Sequence, residues 1–264
     1  MRKDYIEASS ALAEDAFVAE SWDRVWDERG LAAARGTALR RTEEYAFLRA
    51  HVLSVPAGLD VLDCGCGTGD WTLLLREEGH RVVGIDIAAR TIQKLSEAHG
   101  GAFQVADFRR TGLEAESFDL VINWGGLEHF EEGPAAGIKE AWRLLRPGGV
   151  FVATTPFHNL RVRMLDRWRG EDARTAGPEV RFYQYRFTRA ELESHFRGQG
   201  FAPIVSRIMS GTQGMTRALD HELGWLGRRL PEFARALVVL AGGRIFRRWV
   251  GHMVLCMGVK PPRT

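Results

Sequence analysis

The sequence is poor in cysteine and has almost no excess of charge of either sign. Only Cys64, Cys66 and Cys256 occur among its 264 residues. This excludes a disulfide-rich scaffold and favours a reducing compartment, so we expect a cytoplasmic protein. Cys64 and Cys66 have no second cysteine pair nearby, and we predict no metal site. The formal net charge of +2 gives no indication of a nucleic-acid partner.

Long apolar runs are also lacking. No stretch approaches the roughly 18–20 apolar residues that a membrane-spanning helix requires. The first twenty residues contain several acidic side chains and no apolar core run, so we expect no signal peptide there. The apolar fraction of 45% is nevertheless ordinary for a globular domain, and we expect a packed core.

A glycine-rich turn is the most informative feature that is present. Residues 61–69 read Val-Leu-Asp-Cys-Gly-Cys-Gly-Thr-Gly, an apolar strand that runs into a turn. The glycines allow the backbone to turn sharply and a ligand to approach closely. Asp86 ends a second apolar stretch 23 residues after Asp63, where a carboxylate can accept hydrogen bonds from ribose hydroxyls. Together the two features indicate a nucleoside cofactor.

Apolar strands alternate with amphipathic helices between residues 36 and 154. The pattern predicts helices at 36–54, from about 70 to 79, and at 88–98 and 134–145. It predicts strands at 59–64, 81–86, 102–106, 117–123 and 150–154. This alternation is typical of a doubly wound α/β fold, in which helices cover both faces of a parallel sheet.

The regular alternation stops after residue 155. A polar, arginine-rich connection occupies 156–187, and a second insertion with helical patterning occupies 211–250. We therefore divide the chain into an N-terminal helical lid or cap, 1–57, and a Rossmann-like domain, 58–264, that carries both insertions. Trp22 and Trp26 stand four residues apart and predict an amphipathic helix that closes the site.

With these motifs in order, the chain resembles the class I S-adenosylmethionine-dependent methyltransferases of the broad small-molecule group. The resemblance covers about residues 58–157 and, more loosely, 188–205 and 252–260. It is carried by the segments VLDCGCGTG, GIDIA, VADF, FDLVINWGGLEHF and LLRPGGVFVATTP. It implies a seven-stranded, mostly parallel sheet whose last two strands, 201–209 and 252–259, form an antiparallel hairpin.

The resemblance also implies S-adenosylmethionine as the cofactor. The methionine end would lie against the glycine turn, with Asp63 near the ammonium group, and Asp86 would bind the ribose hydroxyls. Asp107 would accept from the adenine amino group while Ile87 or Phe108 packs on the ring. The end of the fourth strand would lie near the sulfonium. The complete set of cofactor-binding residues predicted in this way is Asp63, Gly65, Cys66, Gly67, Asp86, Ile87, Asp107, Phe108, Asn123 and Trp124.

Three residues are candidates for the catalytic group. Methyl transfer from a sulfonium is an in-line displacement, and it needs a general base only when the acceptor still holds its proton. His129 follows the fourth strand in the triplet Leu-Glu-His, His158 follows the fifth strand, and Tyr185 belongs to a run of alternating aromatic residues. Each also has a structural alternative: a backbone hydrogen bond for His129, an exposed loop for His158 and packing of a cap for Tyr185.

The expected function is methylation of a small organic acceptor, such as a secondary metabolite or a lipid-linked intermediate. Oxygen is favoured as the acceptor atom over carbon or nitrogen, and a protein acceptor stays open. A nicotinamide-dependent oxidoreductase would instead prefer G-x-G-x-x-G, and Asp70 would repel a diphosphate at this turn. A nucleic-acid methyltransferase would carry a motif of the N-P-P-Y type where this chain has Asn123-Trp124-Gly125-Gly126. A non-catalytic cofactor-binding protein would show an eroded glycine motif, and this one is intact.

The insertion 211–250 combines large apolar residues with several arginines, among them Arg228, Arg229, Arg235, Arg244, Arg247 and Arg248. It reads either as a basic amphipathic cap that lies on a membrane surface or binds an acidic lipid-like substrate, or as an ordinary helical cap or dimer face with solvated arginines. The sequence favours the second interpretation, and it leaves open whether the protein is a monomer or a homodimer.

Overall fold

The computed structural model describes residues 1–7, 14–30, 36–53, 58–169, 180–217, 219–220 and 231–263. Its helices are α1 (Glu14–Arg29), α2 (Gly36–Leu39), α3 (Glu43–His51), α4 (Asp70–Glu77), α5 (Ala89–His99), α6 (Ala135–Leu144), α7 (Leu160–Arg169), α8 (Arg189–Gln199), α9 (Gly211–Arg217), α10 (Glu232–Ile245) and α11 (Arg247–Val250). Its strands are β1 (Arg2–Glu7), β2 (Asp60–Cys64), β3 (Arg81–Asp86), β4 (Phe103–Val105), β5 (Phe118–Trp124), β6 (Leu145–Pro156), β7 (Val180–Arg186), β8 (Ile204–Met209) and β9 (Met253–Val259). A short 3-10 helix, Leu127–His129, follows β5.

Seven strands form one sheet in the order β4-β3-β2-β5-β6-β9-β8. The neighbouring pairs from β4 to β6 are parallel. Strand β9 is inserted between β6 and β8 and runs antiparallel to both. The doubly wound, mostly parallel sheet and its antiparallel last strand are therefore confirmed, as is the hairpin of β8 with β9.

Apolar side chains cover both faces of the central strands. Successive residues of a strand point to opposite faces. Leu62 and Val121 accordingly join one buried cluster, while Val61 and Leu120 join another. Because water reaches neither face, these strands read in the sequence as nearly continuous apolar runs.

The N-terminal segment differs from its sequence-based interpretation as a purely helical lid. The chain begins with β1, which pairs antiparallel with β7 from the first insertion and so forms a separate two-stranded ribbon. The helix predicted at 36–54 is divided into α2 and α3, with Thr42 capping α3 through its side chain. Residue 54 of that prediction lies outside the described residues. The residues of β1 are mostly charged and show no apolar alternation from which a strand could be predicted.

The two insertions also have regular structure. The first contains α7 and β7, and the second contains α9, α10 and α11. Residues 170–179, 218 and 221–230 of these insertions lie outside the described residues. Among the helices that the structure describes, none has the length and apolar character needed to cross a bilayer.

Candidate functional site

A group of cavities lies at the carboxyl ends of the parallel strands, where open α/β sheets generally bind ligands. The inner cavity, about 90 Å³ in volume, is lined by Val18, Trp22, Trp26, Gly65, Asp86, Ile87, Ala106, Trp124, Gly125, Gly126, His129 and Phe130. It meets a wider outer cleft of about 710 Å³ that contains Asp107 and Arg109. It also meets an apolar side cavity between α1 and the β1–β7 ribbon. Val18 and His129 line all three.

The glycine turn after β2 forms one wall of the inner cavity. Gly65 and Gly67 adopt φ values of +72° and +52°, a region that side chains with a Cβ rarely occupy. The backbone N–H of Gly67 donates to Asp86 Oδ2 over 2.9 Å. A Cβ at Gly67 would come within 3.0 Å of the indole of Trp26. Trp26 therefore covers Gly67, whereas Gly65 lines the inner cavity.

Asp86 is held in place by two backbone N–H groups. Its second oxygen, Oδ1, accepts from the N–H of Ala88 over 2.9 Å. Burial raises the pKa of Asp86 above its ordinary value, although the N–H groups of Ala88 and Gly67 act in the opposite direction. Each carboxylate oxygen has a further lone pair, so Asp86 can still accept hydrogen bonds from ribose hydroxyls.

Asp63 does not line these cavities. It is buried and accepts a hydrogen bond from Thr72 Oγ1 over 2.8 Å. Burial raises its pKa to about 7. The carboxyl group thus ties β2 to α4 behind the glycine turn, and the structure does not bring it to the position predicted for the cofactor's ammonium group.

Cys66 and Phe108 also face the core rather than the cavities. Cys66 packs in a buried cluster with Leu95 and Phe103. Phe108 packs against Phe151, with ring centroids 6.2 Å apart. Of the two side chains predicted to cover the adenine ring, the structure places Ile87 in the inner cavity and outer cleft and Phe108 outside them.

Asn123 shapes the site without lining it. Its Nδ2 donates to the carbonyl of Cys64 over 2.8 Å, and its Oδ1 accepts from the N–H groups of Gly126 and Leu127. It therefore fastens β2 to β5 and fixes the turn that leads to His129. Its neighbour Trp124 does line the inner cavity, and its buried Nε1 has no hydrogen-bond partner among the described residues.

Asp107 lines the outer cleft. Its carboxylate is already bound by Arg109, whose guanidinium lies 2.7 Å from Asp107 Oδ2. The remaining lone pairs on the two oxygens are what an adenine amino group could use.

His129 stands where the three cavities meet. Its Nδ1 lies 2.7 Å from the carbonyl oxygen of Tyr183. A carbonyl only accepts, so Nδ1 carries the proton and Nε2 presents a lone pair. The ring is packed edge-on against Trp22, with centroids 4.9 Å apart. Burial lowers the pKa of His129 to about 4, so the imidazole is neutral near pH 7.

Glu128 is the titratable group next to this imidazole. Its Oε1 lies 3.9 Å from His129 Nε2. Its Oε2 is buried and forms no hydrogen bond within the part of the chain that the structure describes. Burial raises the pKa of Glu128 to about 8. The carboxyl is therefore largely protonated and uncharged near neutral pH, like the imidazole beside it.

The structure brings neither of the other two catalytic candidates to the cavities. His158 pairs with Asp166, its Nε2 lying 3.1 Å from Oδ2. Arg2 approaches the same carboxylate at 3.2 Å. The hydroxyl of Tyr185 donates to the carbonyl of Glu131 over 2.8 Å, and its ring is buried. Both side chains fix the β1–β7 ribbon and its surroundings rather than face a ligand.

Helix α1 contributes Trp22 and Trp26 to the lining of the inner cavity. Trp22 and Trp26 stack with centroids 5.1 Å apart. The sequence did not reveal how α1 is held. Buried Asp23 accepts from both the N–H and the hydroxyl of Thr91, each over 3.0 Å, at the start of α5. The charge of Asp23 suits the positive end of that helix.

The part of the chain that the structure describes contains no cluster of three or more histidine, cysteine, aspartate or glutamate side chains that could hold a metal.

Comparison with known proteins then identifies the fold. A family model described as a methyltransferase domain matches residues 17–206. The chain belongs to this family. Its cofactor is S-adenosylmethionine, as the sequence motifs implied.

The methyltransferase domain has relatives of modest identity. It is 29% identical to the malonyl-[acyl-carrier protein] O-methyltransferase of Salmonella typhimurium over 157 residues, or 56% of this chain and 62% of that protein. It is 36% identical to a ubiquinone biosynthesis O-methyltransferase of Cereibacter sphaeroides over 105 residues, or 37% and 41% of the two chains. The chain thus matches less than two thirds of the length of either relative.

A solved structure agrees with the fold over nearly the whole chain. The 1,6-didemethyltoxoflavin-N1-methyltransferase of Burkholderia thailandensis superposes with a TM-score of 0.57 at 18% identity, covering 98% of this chain and 96% of that one. At this identity the likeness describes the fold alone.

Proposed function

We propose that this methyltransferase domain transfers a methyl group to an oxygen atom of a small, largely apolar organic molecule, with His129 as the proton acceptor. The observation that carries the proposal is the fixed tautomer of His129. Its Nδ1 is bound to the Tyr183 carbonyl, and Nε2 keeps its lone pair at the meeting point of the three cavities.

The residues of the site fit S-adenosylmethionine. The glycine turn would take the methionine end, and the fixed carboxylate of Asp86 would accept from the ribose. Ile87 and Asp107 would meet the adenine along the outer cleft. When bound, this cofactor supplies a methyl carbon attached to a positively charged sulfur. The tryptophan rings of the inner cavity favour a nearby cation and exclude water.

The acceptor would enter from the opposite side, through the apolar side cavity. Most of its lining is apolar: Ile6, Phe17, Val18, Trp22, Val25 and Phe182, with Ser21, Tyr183 and His129 as the polar residues. Such a surface suits a molecule with a flat or extended apolar body and one polar end. The polar end would then reach His129.

The proton chemistry suits a hydroxyl or carboxyl acceptor. A free alcohol is a far weaker acid than an imidazolium of pKa about 4. An oxygen that has begun to bond to the methyl carbon is a strong acid, however, and it can pass its proton to a weakly basic imidazole. His129 Nε2 would orient the O–H and take the proton as the carbon–oxygen bond forms. Both curated relatives described above are named O-methyltransferases, which also supports oxygen.

The test is an assay of S-adenosylhomocysteine release with matched apolar acceptors that end in a phenol, a carboxylate or an amine. We expect turnover with an oxygen acceptor, and a loss of about 10²–10⁴-fold in kcat for His129→Ala with a phenol. Binding of S-adenosylhomocysteine by calorimetry should stay within a few-fold of wild type. Turnover of amines only, or full activity of His129→Ala with a phenol, would reject the proposed role.

A further inference from the structure

Helix α7 carries an exposed apolar stripe. Leu160, Met164 and Trp168 stand four residues apart, so they lie on one face of the helix. Their exposed fractions rise along the stripe to 58% for Met164 and 83% for Trp168. A tryptophan so exposed is unusual on a surface that meets only water.

Helix α10 carries a second stripe. Phe233, Leu237 and Leu240 lie at positions i, i+4 and i+7, and each is more than half exposed. The opposite side of α10 packs on α9 through glycine: a Cβ at Gly243 would lie 2.6 Å from the backbone nitrogen of Thr212. The fold therefore uses the glycine side of α10 for packing and leaves the apolar side uncovered by described residues.

The two stripes belong to neighbouring helices. Helix α11 contacts both α7 and α10. Asn159, just before α7, donates from Nδ2 to the carbonyl of Gly251, just after α11, over 2.9 Å. Phe246 and Trp249 add exposed rings between the stripes. We call the exposed side chains of α7, α10 and α11 the insertion surface.

The insertion surface is also positively charged. Arg163, Arg167, Arg244 and Arg248 are exposed. None of the four forms an ion pair with a described residue. Each of the two long helices has a single acidic residue in its sequence. On α7 this is Asp166, which is already bound by His158 and Arg2.

We propose that the insertion surface binds the face of an anionic phospholipid bilayer. Its apolar rings and leucines would enter the boundary between head groups and acyl chains, and its arginines would meet the phosphates. A second copy of this chain is the weaker occupant, because a twofold interface would bring the same unpaired arginines of both copies together. The proposal is independent of the methyl acceptor, since it concerns a surface away from the cavities.

Co-sedimentation of the full chain with vesicles tests the proposal. We expect binding to vesicles of phosphatidylcholine with one third phosphatidylglycerol, little binding to phosphatidylcholine alone, and weakening by salt. Arg244→Gln with Arg248→Gln should lower the partition coefficient roughly 25-fold, since each arginine near the surface contributes about fivefold. Leu237→Ser with Leu240→Ser should lower it also. Arg76→Gln with Arg197→Gln removes two exposed arginines elsewhere and should leave binding unchanged.

Unchanged cofactor affinity in all three double variants would show that they fold. Absence of binding to the anionic vesicles, or an equal loss in the Arg76/Arg197 control, overturns the proposal. A lipid-independent dimer that Leu237→Ser with Leu240→Ser converts to a monomer also overturns it, because a second copy would then cover this surface.

Discussion

The indole ring of Trp26 lies directly against the backbone of Gly67, within 3.0 Å of the position that a Cβ would take. Helix α1 and the glycine turn therefore share one contact surface, on which the cofactor's methionine end is also expected. A side chain at residue 67 would disturb both partners at once.

Gly67→Ala should weaken the binding of S-adenosylhomocysteine at least tenfold. Alanine costs about 1 kcal/mol at a positive φ, and at this position it also meets the Trp26 ring. Calorimetric titration measures the effect. Gly112→Ala is the matched control, because Gly112 also has a positive φ, +72°, but no described residue lies within 4 Å of its Cβ position. Similar losses in both variants would mean that the contact with Trp26 is irrelevant.

Asp86→Asn should raise the dissociation constant of S-adenosylhomocysteine by about 10–100-fold, since hydrogen bonds to a charged group are worth about 1.5–3 kcal/mol. Asp63→Asn should leave that constant nearly unchanged. Asp63 is equally buried, but it bonds to Thr72 behind the turn. If the two variants lost affinity equally, the assignment of Asp86 to the cavity and Asp63 to the core would fail.

His129 should make the folded state less stable as the pH falls. Its folded pKa is about 4 against an ordinary 6.5, so the unfolded chain binds the proton first as the pH drops. The resulting loss of unfolding free energy is nearly zero well above pH 6.5 and reaches about 2 kcal/mol at pH 5. Urea unfolding of wild type and of His129→Gln at pH 7.5 and pH 5 measures this cost. Between pH 7.5 and pH 5, the free energy of unfolding of the variant should rise by about 2 kcal/mol relative to that of wild type.

Glu128 is the neighbouring group that could mask this effect. Burial raises the pKa of Glu128 from its ordinary value of 4.5 to about 8. Glu128 therefore has the opposite effect on the free energy of unfolding: it destabilises the fold as the pH rises from 4.5 towards 8. Glu128→Gln removes that contribution, so the His129 comparison repeated in this background isolates the imidazole. A pH-independent difference in both backgrounds would contradict the buried, neutral state of His129.

Asp23→Ala should loosen α1 and cost about 1 kcal/mol of unfolding free energy, as loss of a helix-capping side chain does. Both hydrogen bonds from Thr91 would be lost at the start of α5. Hydrogen exchange should accelerate in α1 while the core strands keep their protection. Asp27→Ala is the control, since Asp27 is partly exposed and pairs with Lys94 at the surface. Equal acceleration in the two variants would show that Asp23 does not hold the lid.

The sequence alone specified the central sheet and the glycine turn. The strands from β2 to β6 are buried on both faces, so their apolar runs are continuous, and local glycine chemistry marks the turn that follows β2. The spacing within one βαβ unit also predicted Asp86 as a site residue, and the structure places Asp86 in the lining of the inner cavity.

Other predicted site residues were separated only by the tertiary structure. Asp63, Cys66 and Asn123 belong to the right motifs, but the direction of each side chain relative to the sheet decides that they pack or fasten strands instead of lining the cavities. Motif membership carries no such direction. His158 and Tyr185 were placed near the site by sequence, and their partners Asp166 and Glu131 turn them away from it.

The β1–β7 ribbon and the tautomer of His129 depend on contacts between distant segments. Strand β1 pairs with β7, which is far from it in sequence, and Lys3 lies opposite Tyr185. The carbonyl of Tyr183 accepts a hydrogen bond from His129 Nδ1 and so fixes its tautomer. Tyr183 belongs to this ribbon. Periodicity and spacing record local preferences, and they fix strands, helices and turns. Packing over the whole domain decides which remote backbone carbonyl contacts a buried imidazole.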